Sequence, residues 1–161
     1  MPIRRKYYII ISIFTKDESR KVYNMSKKQT RSEARIEAFK LIFQSEVNNE
    51  DSDFLIEAML DEHPECMKNI AYIKTVFLGV LAKKEEIDEK ISANLGKKWS
   101  IDRISKVSLA VLRLAVFEIL YVEDVPERVA INEAVEIEKK FDEPDNSAFV
   151  NGVLGGFLKS L

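Results

Sequence analysis

Residues 105–121 read Ser-Lys-Val-Ser-Leu-Ala-Val-Leu-Arg-Leu-Ala-Val-Phe-Glu-Ile-Leu-Tyr. From Val107 to Leu120 the segment is apolar on nearly every side, with no helix-breaking residue inside it. A helix of this kind sits at the centre of a fold, against several neighbours. Its 17 residues are interrupted by Lys106, Arg113 and Glu118, so it does not suit a bilayer, which asks for about 18 or more apolar residues in a row. Arg113 and Glu118 are five positions apart and point about 140° away from each other, so they cannot simply pair within the helix. An unpaired buried charge is costly, so each is expected to meet a partner on another helix.

Working outward, the flanking segments carry helical periodicity. Thr30 and Glu33 have the spacing of a capping box and open a helix over about 31–46. Ala34, Ala38, Leu41, Ile42 and Ser45 fall on one face, flanked by Phe39 and Phe43, while Arg31 and Arg35 share a different face. A second helix starts near Ser52 and is stopped or interrupted by Pro64. The period from Ile70 through Ile91 predicts one long helix over about 67–94, with Gly96 as its terminator. The charges from Lys83 to Lys90 read as its solvated side. Two further helices follow at about 127–141 and 147–159, and Gly152 reads as a point of close helix packing.

The chain has 161 residues, 46% apolar and 32% charged, with five Gly and four Pro. That composition fits one globular, all-α domain. Residues 1–24 look different: Arg4, Arg5 and Lys6 precede a short apolar run that includes the β-branched stretch Ile9–Ile11, and Met25 begins a natural-looking start. They are expected to be an appended, weakly ordered extension ahead of a 25–161 domain, with no small-residue cleavage site to mark a signal peptide.

The chemistry excludes more than it offers. His63 and Cys66 are the only His and Cys, too few for a tetrahedral metal site. They are also the only nucleophile–base candidates, in an acidic run that opposes a thiolate. With Gly155-Gly156 as the lone glycine doublet, there is no phosphate-cradling loop. The expectation is no enzyme, no metal and no cofactor.

Charge supplies the functional signal. The chain is near neutral at −2. Yet residues 20–40 carry Arg20, Lys21, Lys27, Lys28, Arg31, Arg35 and Lys40 against Glu33 and Glu37, while residues 46–65 carry eight acidic residues and no Lys or Arg. Cations at the opening of a helix, where backbone N–H groups are unsatisfied, favour a polyanion.

Three stretches together resemble the NusB transcription-antitermination family. One is Arg31-Ser32-Glu33-Ala34-Arg35-Ile36-Glu37-Ala38-Phe39-Lys40-Leu41-Ile42-Phe43. Another runs from Leu95 through Trp99, Ile101, Asp102 and Arg103 to Leu112–Ile119. The last is Val125-Pro126 with Val129–Glu136 and Phe149–Leu154. The resemblance covers about 26–161. It implies a single compact domain of about seven helices in two subbundles, acting in the cytoplasm without catalysis. It implies binding of single-stranded boxA RNA in ribosomal-RNA leader transcripts, together with the ribosomal protein NusE. Other Nus factors and RNA polymerase are then engaged indirectly, with no membrane, and a homodimer is allowed. By position Arg31 and Arg35, helped by Lys27 and Lys28, are the expected RNA contacts. So are Asp145 and Phe149 at the last helix, Phe149 being the candidate stacker, and Phe43 is the expected partner contact. The rival readings are the RNA-binding module of an rRNA cytosine methyltransferase and a helical interaction module without RNA affinity.

Overall fold

The structure, a computed structural model, describes residues 28–161. The expected extension at 1–24, the strand-prone Ile9–Ile11 and Lys27 lie outside the described residues. Seven α-helices and two short 3₁₀ segments make up the described chain, with no strand among the described residues. They are α1 (Arg31–Asn48), α2 (Ser52–Glu62), α3 (Ile70–Ala82), α4 (Lys84–Ala93), α5 (Lys106–Tyr121), α6 (Glu127–Phe141) and α7 (Asn146–Lys159).

Helix α5 is the axis. Every residue from Ser108 to Glu118 is buried, and α1, α3, α4, α6 and α7 all pack on it. On one side α1 gathers α2 and α3; on the other α6 and α7 run together and α4 leans on α7. The pattern of residues 107–120 anticipates this, since a helix apolar all round needs neighbours all round.

Local signals set the helix starts. Thr30 Oγ1 accepts from the Glu33 N–H, and the Glu33 carboxylate accepts from the Thr30 N–H, which completes the expected capping box. The Asp51 carboxylate accepts from the N–H groups of Asp53 and Phe54 and so starts α2. Helix α1 ends at Asn49 with φ 50°, the left-handed conformation that Asn tolerates better than most residues.

The single helix expected over 67–94 is three elements: a 3₁₀ segment at Pro64–Asn69, then α3, then α4 after a break at Lys83. No Gly or Pro marks that break. Tertiary packing makes it, because α3 lies against α1 and α5 whereas α4 turns to α5 and α7. Helix α3 reaches α5 closely at Gly79, where an added Cβ would come within 2.2 Å of the Phe117 ring. Gly96 is not the terminator: α4 ends at Ala93 with Asn94 as its cap, and no glycine among the described residues has positive φ. Gly152 is not a close contact either; nothing lies within 4 Å of the position a Cβ would take, and the tighter approach on α7 is Gly156 against Asn94.

The two charges in α5 find partners on other helices, as expected. Arg113 donates from Nε and Nη2 to the Asp88 carboxylate, each at 2.8 Å, and from Nη1 to Glu46 at 3.1 Å. Asp88 is therefore half-buried and paired inward with Arg113, rather than standing free on the solvated stripe the charge pattern suggests. Glu118 meets Arg35. A second buried acid, Glu138 on α6, accepts from the Ser108 hydroxyl, and burial pushes its carboxyl up to about 7. No described helix is long and apolar enough to cross a membrane.

Candidate nucleic-acid interface

The opening of α1 brings together residues from four helices. Tyr72 of α3 lies beneath both arginines: the Arg31 guanidinium sits 4.1 Å from its ring centroid and that of Arg35 5.8 Å. Glu118 of α5 and Glu133 of α6 close the far side. Arg35 donates from Nε to Glu118 Oε1 at 2.7 Å and from Nη2 to Oε2 at 3.0 Å, a bidentate pair. Its Nη1 lies 3.5 Å from Glu133, which also accepts from the Ser32 hydroxyl at 2.6 Å.

This arrangement separates the two arginines. Arg35 is 2% exposed, so it is not the RNA contact expected from its place beside Arg31. The reason is its position: Arg35, Phe39 and Ile42 follow at i, i+4 and i+7, so Arg35 heads a row that faces the core. Burial by itself would lower its pKa, but the hydrogen-bonded Glu118 carboxylate more than reverses this and raises it. The guanidinium is a fixed internal charge. Burial, and then the Glu118 charge, likewise push the Tyr72 phenol up.

Arg31, in contrast, is exposed, as is Lys28, and among the described residues no carboxylate forms an ion pair with either. Stacking on Tyr72 limits the conformations Arg31 can adopt while its N–H donors keep access to solvent. The capping box takes the N–H groups of Thr30 and Glu33, and those of Arg31 and Ser32 have no partner among the described residues, as first-turn donors of a helix commonly do not. Beside them, clefts between α1 and its neighbours are lined in part by Lys140, and one of them also by Lys139. Sequence reasoning missed both lysines, because nothing in the linear sequence places the last turn of α6 next to the first of α1.

The other expected residues lie elsewhere. Asp145 is exposed at the start of α7 and makes no capping bond with its side chain. Phe149, one turn on, is half-buried against Trp99, their ring centroids 5.3 Å apart. These two form a second patch, distinct from the residues gathered on Tyr72. Phe43 is 4% exposed and packs beside Phe39 in the core, so it is not a surface for a partner. The α1 stripe is wider than Ala34, Ala38, Leu41 and Ile42 alone, and it draws Phe39 and Phe43 inside.

His63 and Cys66 are joined through the backbone, where the Cys66 N–H donates to the His63 carbonyl at 2.9 Å, but their side chains turn to other partners. His63 Nδ1 lies 3.3 Å from Glu65, while the Cys66 sulfur accepts from the Gln29 amide at 3.1 Å. Burial, followed by the charge of Glu37, pushes the Cys66 thiol up to about 12, which removes it as a nucleophile at neutral pH.

Comparison with known proteins places this geometry. The model of the NusB family matches residues 32–159. The Transcription antitermination protein NusB of Clostridium novyi (strain NT) is 39% identical over 132 residues, which are 81% of this chain and 98% of that protein. A crystal structure of the antitermination factors NusB and NusE in complex with double-stranded RNA superposes with a TM-score of 0.71 at 28% identity, covering 81% of this chain and 97% of that one. T. maritima NusB gives 0.70 at 36% identity, covering 83% and 93%. With the helices, the capped α1 and the extent of these matches in agreement, the chain belongs to the NusB family.

Proposed function

We propose that this protein is a non-enzymatic, cytoplasmic antitermination factor that binds single-stranded boxA-type RNA together with NusE, and so modifies transcription by RNA polymerase. The observation that carries the reading is Arg31, exposed and braced on Tyr72, beside an exposed Lys28 at the start of α1. Such cations supply salt-dependent attraction for phosphate, and Arg adds a planar, two-pronged donor. Asp145 and Phe149 are the proposed contacts to base edges and base faces, which unpaired RNA presents. The solved complex of NusB and NusE with double-stranded RNA supports NusE and RNA as the classes of partner. Relatives matched over nearly their whole length are named antitermination proteins, which favours this reading over a methyltransferase module.

A joint RNA surface should bind more tightly than either half. Filter binding of a boxA oligonucleotide to this protein, to NusE and to their equimolar mixture is expected to show the mixture about tenfold tighter or more, the gain of a few added contacts. Equal affinity with and without NusE would contradict the proposal.

A further inference from the structure

Between α4 and α5 the chain runs Asn94-Leu95-Gly96-Lys97-Lys98-Trp99-Ser100 and then turns through the 3₁₀ segment Ile101–Arg103. Trp99 is the only tryptophan of the protein, and half of it stands in solvent at 50% exposure. An indole carries a large apolar surface whose exposure is unfavourable, so an exposed Trp in a built setting points to a ligand. The setting here is built. Leu95 and Ile101 pack on the core at either side of the loop, and Ile104 is buried just beyond. The Trp99 backbone N–H donates to the Gly96 carbonyl at 2.8 Å, and Arg103 Nη1 donates to the Lys98 carbonyl at 3.0 Å. The indole lies against Phe149, ring centroids 5.3 Å apart and tilted by 46°, while half of Trp99 stays open to solvent. Lys97, Lys98 and Arg103 are exposed around it, opposed in residues 96–103 only by Asp102.

We propose that Trp99 is a stacking platform for an unpaired RNA base, with Lys97 and Lys98 placed for the flanking phosphates. The assignment rests on the RNA-binding reading above and adds to it a residue and a surface outside α1 and α7. An aromatic face accepts any base, while lysines hold the backbone, so the pair gives affinity with little sequence preference. Phe149 serves as the support beneath the indole as much as a contact in its own right.

The test uses the full chain and a fluorescein-labelled single-stranded boxA oligonucleotide, with anisotropy reporting binding and Trp99 emission reporting stacking. Emission from the sole indole is expected to be quenched in step with binding. Trp99→Ala is expected to bind about tenfold more weakly, within the range for one stacked base. Trp99→Phe, which keeps a ring, is expected to recover most of that loss, a rescue that separates stacking from a folding defect. Binding without quenching, with Trp99→Ala at parental affinity, overturns the platform and leaves RNA binding by α1 standing. Loss of NusE binding in Trp99→Ala with RNA affinity unchanged overturns it in favour of a protein contact. No oligonucleotide binding by the parent protein overturns both readings.

Discussion

Glu118→Ala is expected to lower the stability of the protein by about 3–5 kcal/mol, the cost of leaving one partner of a buried pair alone. For a domain of this size that corresponds to a fall in melting temperature of roughly 10–15 °C. Glu118 is 0% exposed and Arg35 2%, and the bidentate geometry at 2.7 and 3.0 Å leaves the guanidinium no comparable partner once the carboxylate is gone. Glu133, at 3.5 Å and partly exposed, offsets only part of the loss. Replacing both residues together, Arg35→Met with Glu118→Leu, is expected to recover much of the deficit, because exchanging a buried pair for apolar side chains removes the desolvation cost of both. Thermal melts followed by circular dichroism separate the three proteins. A Glu118→Ala variant within 1 kcal/mol of the parent, by the scale of ordinary surface changes, would show that the pair does not hold α1 to α5.

Arg113→Ala is expected to cost about 2–4 kcal/mol, somewhat less because its partners are nearer the surface. Arg113 is 4% exposed, while the side chains of Glu46 and Asp88 are 21% and 22% exposed. This one guanidinium ties α5 to α1 and α4. The same network sets an acid limit. Burial tends to push the Glu46 carboxyl up, but the hydrogen bond from Lys84 and the charges of Arg113 and Lys84 outweigh it and hold the group at about 2 against an ordinary 4.5. Because the folded value lies below the unfolded one, this stabilisation is complete above about pH 4.5 and is lost as pH falls towards 2. In Arg113→Ala the carboxyl keeps only its lysines, so the loss of stability between pH 6 and pH 3 should be smaller than in the parent. Urea midpoints at the two pH values report it. An unchanged pH dependence would mean that Lys84 alone sets the Glu46 carboxyl.

The fold was more legible than the site. Periodicity located α1, α5, α6 and α7 to within a residue or two, because each buries a strong apolar stripe and has a clear start. It missed the break at Lys83 because no residue there disfavours a helix; only the competing packing demands on α3 and α4 divide them. For the site, the cation cluster at the head of α1 was visible as charge, but charge does not tell a surface arginine from a buried one. The signal that could have told them apart lay in two places. Arg35 shares the Phe39–Ile42 row, and Glu118, inside the most apolar helix, needed a base from another element. Setting those facts side by side assigns Arg35 to the interior and leaves Arg31 and Lys28 outside. Trp99 stood in a stretch that resembled the family, yet nothing in the linear pattern said that the loop would turn it outward onto Phe149.

On the proposed function, Lys28 and Arg31 hold RNA phosphates at the head of α1. The most direct measurement is the affinity of the Lys28→Ala, Arg31→Ala double variant for a single-stranded boxA oligonucleotide, titrated across a series of salt concentrations. Both side chains are exposed, so the fold should persist. Removing two phosphate contacts is expected to flatten the slope of log K against log salt by about 1.4, at about 0.7 per contact on a single strand, and to weaken binding roughly tenfold at physiological salt. An affinity and a slope equal to those of the parent would contradict the claim.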